Sequence, residues 1–451
     1  MAKITVIGTG YVGSVSGACL ADFGNQVICV DNNAEKIEAL KKGIIPIYEP
    51  GLDDVVKRNC DQGRLSFTTD LATALNNSNI VFIAVGTPPM EDGSADLVYI
   101  EEAARQIGSL INQYTVIVDK STVPIGTGKK VRAWVMEELE KRNSIIDFDV
   151  VSNPEFLREG TAVYDFTHPD RVVIGSECNR ARSIMKDVYR PLYLNETPFI
   201  ETTLESAEMI KYASNAFLAV KVTFINEIAN LCEKTGADIR AVAKAIGKDG
   251  RIGSKFLHPG PGYGGSCFPK DTRALVKIAE DHNETLNIVK TTIETNEKQK
   301  LRAAKKIETV LGSFSEKTIA VLGLAFKQNT DDMRESPSIT ICEYLAHNGA
   351  KLRLYDPAAM NEAKWRLSSI KDSIYFADDE YDCAKDCHAL VIATPWNQFR
   401  NIDLSKINKL MASPNFFDLR NIYNVDEVTS FGFKYFGTGI SPKNIGHGKT
   451  G

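Results

Sequence analysis

Metal-binding, nucleic-acid-binding and membrane-spanning signatures are all scarce in this sequence. It has six histidines in 451 residues, and its nine cysteines are scattered without a Cys-x-x-C pair. Cys383 and Cys387 stand four apart, but without the further cysteines or histidines that a zinc site needs, so no metal is expected. Charge of one sign is lacking too. With a formal net charge of -5 the chain has no general affinity for nucleic acid or acidic membranes, and an anionic ligand would need a local positive cluster. No apolar run approaches the roughly 20 residues of a membrane span. Lys3-Ile4-Thr5-Val6-Ile7 already reads as a core strand, which leaves no room for a signal peptide. Cys19, Cys29, Cys232 and Cys342 fall in apolar periodic stretches, as core residues of a protein from a reducing compartment do. A cytoplasmic protein is expected.

What is present is ordinary in bulk and specific in detail. Hydrophobic residues at 43% and charged residues at 25% describe a globular protein, and 451 residues exceed one core, so two or three domains are expected. Lys3 to Ile7 runs into Gly8-Thr9-Gly10-Tyr11-Val12-Gly13 and then into helical spacing from Ser14 to Phe23. Gln26 to Val30 predicts a second strand, and Asp31 ends it, 18 residues after Gly13. A glycine fingerprint between strand and helix, with an acid closing the next strand, is the mark of a dinucleotide site. Gly8 permits the turn, Gly10 admits the pyrophosphate and Gly13 allows close helix packing, while free N–H groups at the helix start bind the anion. Asp31 would bond the ribose hydroxyls and repel a 2′-phosphate, which predicts NAD over NADP. Further strands at Ile80 to Val85 and Thr115 to Asp119 end in Gly86-Thr87-Pro88-Pro89 and Ser121-Thr122-Val123-Pro124, loops that should line the coenzyme crevice.

Asp149 to Ser152 leads into Asn153-Pro154-Glu155-Phe156-Leu157-Arg158-Glu159-Gly160. Glu155 and Glu159 share a face if this segment begins a helix. Leu204 to Lys234 reads as one long helix with Lys211 and Asn215 a turn apart among apolar neighbours, and it is a candidate spine and dimer surface. Further helices are expected at Ala237 to Ile246, Thr272 to Asp281 and Val289 to Leu311. Between Leu257 and Asp271 lie four glycines and three prolines, which predicts a fixed loop able to approach a ligand. This loop carries Cys267, with Lys270 and Asp271 just beyond. A nearby ammonium favours a thiolate nucleophile; the plain alternative is a small residue buried in a turn. From Lys317 the opening plan returns, but Ala325, Phe326 and Lys327 replace the later glycines. Side chains there block a dinucleotide, while Lys327, Arg334 and Arg420 offer charge to another diphosphate. The fold class is α/β, with two doubly wound Rossmann-like domains joined by a long central helix. The expected divisions are 1–200 (NAD-binding), 201–310 (central helices, dimerisation and the cysteine loop), 311–440 (the second doubly wound domain) and 441–451 (a flexible tail).

Gly262 to Asp271, Asn153 to Leu157, the Lys211 and Asn215 pair, and Phe326-Lys327 together resemble the UDP-glucose 6-dehydrogenase group of the nucleotide-sugar dehydrogenases, over nearly the whole chain. The resemblance implies four-electron oxidation of UDP-glucose to UDP-glucuronate by two NAD in a homodimer. It implies Cys267 as nucleophile, Lys211 and Asn215 as oxyanion stabilisers, Asp271 as the residue placing hydrolytic water, and Thr122 and Glu159 in proton transfer. It implies NAD contacts from Gly8, Gly10, Tyr11, Val12, Gly13, Asp31, Lys36, Thr87, Thr122, Glu159 and Arg334; Lys36 stands where some members carry arginine. It implies sugar-nucleotide contacts from Glu155, Phe156, Leu157, Arg158, Glu159, Lys211, Asn215, Arg251, Phe256, Leu257, Tyr263, Gly264, Cys267, Phe326, Lys327 and Arg420, with Arg251 reaching across the dimer. The same chemistry on GDP-mannose or a UDP-N-acetylhexosamine is the nearest alternative. A non-catalytic NAD and nucleotide-sugar binder is the alternative from another class.

Overall fold

The computed structural model describes residues 1–441, so the expected tail lies outside the described residues beyond Ser441. The chain forms two compact units, Met1–Ser214 with Lys277–Glu284, and Asn215–Val276 with Thr285 onward. The stretch expected as a region of its own, 201–310, is thus shared between them.

The first unit is built on eight strands: β1 (Lys3–Ile7), β2 (Gln26–Val30), β3 (Leu65–Thr68), β4 (Ile80–Ile83), β5 (Thr115–Asp119), β6 (Phe148–Ser152), β7 (Val172–Gly175) and β8 (Phe199–Thr202). Their order is β3-β2-β1-β4-β5-β6-β7-β8, parallel throughout except where β6 meets β7. Every residue of β4 and β5 is buried, as the helices covering both faces of a parallel sheet require, which is why these strands read as apolar runs without alternation. The chain reverses its direction of travel across the sheet at β1, between β2 and β4, and the carboxyl ends of those strands carry the glycine turn and Asp31.

The second unit repeats the plan with β9 (Thr318–Leu322), β10 (Lys351–Tyr355), β11 (Ile374–Phe376), β12 (Ala389–Ile392), β13 (Asn415–Asp418) and β14 (Lys434–Gly437), all parallel, in the order β11-β10-β9-β12-β13-β14. It also holds most of the helix Leu204–Thr235, whose 32 residues span about 48 Å at 1.5 Å per residue. Helices Ile239–Ile246, Phe268–Asp281 and Asn287–Leu311 follow.

Two local expectations need correction. The helix after the cysteine begins at Phe268, not Thr272, because Pro269 sits in its first turn, where the missing N–H has no helical partner to lose. Glu155 and Glu159 are not on a helix: residues 153–158 form none, and the next helix runs Ala162–Thr167. The Glu155 carboxylate accepts the Leu157 N–H at 2.5 Å, a local bond that competes with helix formation, and Pro154 adds to it. Their shared helical face therefore does not exist.

Candidate active site

In the first unit the glycine turn has the shape a pyrophosphate needs. A Cβ on Gly13 would lie 1.9 Å from the Gly8 carbonyl oxygen, so only glycine lets the first helix approach the turn. A Cβ on Gly10 would meet nothing within 4 Å, which leaves open space over the start of helix Tyr11–Asp22. No side chain caps that helix, so its first N–H groups face this space with their partial positive charge. Tyr11 and Val12 continue it, both partly buried. Asp31 stands beside the turn: its Oδ2 accepts from Thr9 N–H at 2.9 Å, Thr9 hydroxyl at 2.7 Å and Lys36 Nζ at 3.0 Å. Burial pushes its carboxyl up, but these bonds and the Asn33 N–H outweigh it and hold the group below the ordinary carboxylate range. Thr87, after β4, donates to the Thr122 carbonyl at 2.9 Å, which joins the two loops predicted to line the crevice. These residues fit an NAD molecule.

The same unit carries the acidic segment. Lys211 Nζ lies 2.9 Å from Glu155 Oε1, with the two side chains 4% and 6% exposed, a buried ion pair between the long helix and the loop after β6. The Phe156 ring receives the Arg171 guanidinium at 3.5 Å and the Lys211 ammonium at 5.4 Å. Leu157 and Glu159 are partly buried, whereas Arg158 is exposed and grips Asp165 with its backbone N–H and its guanidinium. Lys120 is a residue that motif reading missed. Fully enclosed, it donates to Asn153 Oδ1 at 3.1 Å and Tyr189 OH at 3.3 Å, and burial lowers its pKa to about 7 despite Glu155.

The second unit holds the thiol. Cys267 ends the glycine loop and directly precedes helix Phe268–Asp281, its carbonyl accepting the Asp271 N–H at 2.8 Å, and a helix N-terminus is a setting that favours a thiolate. Lys270, expected to help the thiol, has its ammonium 2.7 Å from Asp271 Oδ1. The other oxygen of Asp271 accepts Asn215 Nδ2 at 2.6 Å, and Asp271 is 1% exposed. Asn215, Asp271 and the base of Cys267 thus form one cluster.

Buried amide side chains hold the loop that delivers the thiol. Asn226 Oδ1 accepts Gly260 N–H and Gln299 Nε2 donates to Gly260 O, while Asn296 accepts from Tyr263 N–H and donates to Tyr263 O. None was singled out from sequence; the available signal was a polar residue on the apolar stripe of a long helix. Gly265, at φ +85°, bonds the Arg334 carbonyl, and a Cβ there would lie 2.7 Å from the Phe326 ring. Leu257 and Tyr263 are buried, Gly264 lies under the Glu335 carbonyl, and the Phe256 and Tyr263 rings flank Phe268.

Arg420 brings charge to the same loop: its guanidinium lies against Gly260 and donates to the carbonyls of Ala393 at 2.7 Å and Phe326 at 3.2 Å. Burial lowers its pKa to about 10, opposed by Asp418, so it remains a cation. Lys327 follows Phe326 directly, partly exposed. Arg334 bonds Asp332 through its backbone and guanidinium, and Arg251, 89% exposed, pairs with Asp249. The acid closing β10 has another task than Asp31. Asp356 accepts from Leu324 N–H, Ala325 N–H and Trp396 Nε1 and is 1% exposed, so it is spent on its own fold. Among the described residues no group of three His, Cys, Asp or Glu could hold a metal ion.

Known proteins give a context for this geometry. Residues 2–193 match the NAD binding domain of the UDP-glucose/GDP-mannose dehydrogenase family, 205–298 its central domain and 320–425 its UDP binding domain. A UDP-glucose 6-dehydrogenase of Rhizobium meliloti (strain 1021) is 53% identical over 441 residues, 97% of this chain and 99% of the relative. The structure is similar to a UDP-glucose dehydrogenase from the archaeon Pyrobaculum islandicum, with TM-score 0.89 and 38% identity over 98% of each chain. It is also similar to a UDP-D-ManNAc dehydrogenase from Pyrococcus horikoshii, with TM-score 0.83 and 28% identity over 97% of this chain and 99% of the other.

Proposed function

The chain belongs to the UDP-glucose/GDP-mannose dehydrogenase family, and from that premise we propose that it oxidises UDP-glucose to UDP-glucuronate in two steps on one cysteine. NAD, when bound, accepts a hydride in each step. In the first, the sugar C6 alcohol loses a hydride and a proton to become an aldehyde. Thr122 and Glu159 take part in moving that proton. The Cys267 thiolate then adds to the aldehyde carbon, forming a C–S bond and an alkoxide, and loss of the second hydride leaves a thioester. Water attacks the thioester, the C–S bond breaks, and the acid leaves with the thiolate restored.

The remaining roles follow from charge and partners. Lys211 supplies an ammonium to the developing oxyanion, and Asn215 has a second amide N–H beyond the one given to Asp271. Asp271, buried and fixed by two donors, is suited to orienting the hydrolytic water. Arg420, Lys327 and the loop Phe256 to Gly264 serve the nucleotide diphosphate, joined by Phe326 and by Arg251 reaching from a second protomer. Glu155 to Glu159 hold the sugar. Lys36 and Arg334 complete the NAD contacts.

A homodimer is part of the proposal. Phe217, Phe224 and Leu231 recur every seventh residue on the long helix and are 64%, 50% and 58% exposed, an apolar stripe fit for a second copy. The cytoplasm is the proposed location, since no disulfide joins cysteines among the described residues. Among the described residues no helix is long and apolar enough to cross a membrane.

The observation that carries this reading is a thiol at a helix N-terminus on a backbone-pegged glycine loop. It is tested by acid quench during turnover followed by mass spectrometry of the Cys267 peptide. A mass increase of one sugar nucleotide is expected; an unmodified peptide at every time point would refute the covalent step. A panel including GDP-mannose and UDP-N-acetylhexosamines tests the substrate, with NADH formation expected from UDP-glucose.

A further inference from the structure

Glu49 sits in the turn Tyr48-Glu49-Pro50-Gly51, between helices Ala34–Lys41 and Leu52–Asp61. Carboxylates in such turns normally face water, yet this one is 6% exposed. Its Oε1 accepts the Ala162 N–H at 2.7 Å, and its Oε2 accepts both the Gly160 N–H at 2.6 Å and the Tyr11 hydroxyl. Tyr11 is the first residue of the helix that follows the glycine turn. Gly160 follows Glu159 directly, and Ala162 opens a helix whose own N-cap, Thr161, makes no side-chain cap bond. One buried carboxylate therefore joins the coenzyme turn to the loop that bears Glu155 and Glu159, across more than 100 residues of sequence.

We propose that Glu49 is a positioning residue that couples occupancy of the coenzyme turn to the order of the Glu155–Gly160 loop. The inference rests on the NAD reading above. A pyrophosphate over Gly10 fixes the start of the first helix and with it the Tyr11 ring. The phenol then holds Glu49 in the rotamer that accepts both loop amides, three charge-assisted bonds sharing one carboxylate. Burial and the nearby carboxylates of Glu49 and Glu159 disfavour ionisation of Tyr11, so it stays a donor. In the reverse direction, ordering the loop holds Glu49 and steadies the turn, as reciprocity between linked sites requires.

The Gly160 and Ala162 amides report this directly by hydrogen exchange with and without saturating NADH, binding being followed by NADH fluorescence. Wild-type protein should show slower exchange at both amides when NADH is added. Tyr11→Phe, which removes one hydroxyl and leaves Glu49 on both amides, should lose most of that slowing at NADH concentrations that its own fluorescence titration shows to be saturating. Glu49→Gln, whose amide nitrogen cannot accept, should exchange fast at one or both amides with or without NADH. In turnover its kcat should fall about 10- to 100-fold, by more than the KM for NAD rises, the signature of misplacement beyond any weakened binding. Equal NADH-dependent slowing in Tyr11→Phe and wild type, or none in wild type that visibly binds NADH, would overturn the coupling. Wild-type protein that gives no NADH binding signal would instead overturn the coenzyme reading, and the coupling with it.

Discussion

Cys267 differs from the buried core cysteines in what surrounds it. Burial pushes Cys19, Cys29, Cys342 and Cys387 up to about 12 and Cys383 well above the ordinary thiol value, so these stay protonated core residues. Cys267 is partly exposed and ends at a helix N-terminus. Cys267→Ser should reduce acid formation by about a thousandfold or more, since a serine hydroxyl does not ionise near neutrality; acid formation at the wild-type rate would remove the thiol from the mechanism. Asp31 bonds Thr9 and Lys36 together, so Asp31→Ala should lower the NAD over NADP preference by about tenfold or more, partly by freeing the Lys36 ammonium for a 2′-phosphate. An unchanged kcat/KM ratio for the two coenzymes would place discrimination elsewhere.

A second carboxylate gives a pH signature. Asp119 closes β5 as a fully buried carboxylate, and burial, aided by Glu208 and opposed only by the Ser121 N–H, raises its pKa well above 3.8. Glu208 itself, which accepts the Gly126 and Gly128 N–H groups, is raised by burial to about 7. An acid with a raised folded pKa binds more protons folded than unfolded, so its contribution is full below the unfolded value and is lost as pH rises through the folded one. Asp119→Asn mimics the protonated acid without titrating. Its Tm relative to wild type should therefore climb from pH 5 to pH 8; a constant difference would show that Asp119 does not titrate there.

At the level of elements, the cysteine loop stands on three amide side chains carried by two helices. Asn296→Ala leaves Tyr263 N–H and C=O buried without partners, at about 1–3 kcal/mol each. Denaturant midpoints should drop accordingly, and kcat should fall more than KM rises if loop position sets the thiol's aim. The loop glycines, the fingerprint at Gly8 to Gly13 and the acid at Asp31 were legible because each constraint is local: a turn, a close approach, a strand end. Asn226, Asn296 and Gln299 were not, because their reason to exist lies on a loop 30 or more residues away and each alone resembles an ordinary helix residue. The helix start at Phe268 was missed because a proline was read as a breaker where it serves as a first-turn residue. The short edge strands β3 and β8 went unread for a similar reason, since four residues give too little alternation to stand out.

Across the whole molecule, one plan is used twice with different outcomes. Both sheets share the order of their first six strands, yet Asp31 stays by an open glycine turn while Asp356 is consumed by the backbone of Leu324 and Ala325. The first unit therefore keeps a dinucleotide seat, and the second presents cations and Phe326 in its place. Assembly is testable at this scale: Phe217→Glu combined with Phe224→Glu should convert a dimer to monomer in sedimentation, and a double variant that stays dimeric would move the interface off this stripe. The central claim is that one cysteine holds the sugar through two oxidations. Counting NADH formed per UDP-glucuronate released, with UDP-glucose limiting, tests it most directly: two are predicted, and a ratio of one would contradict it.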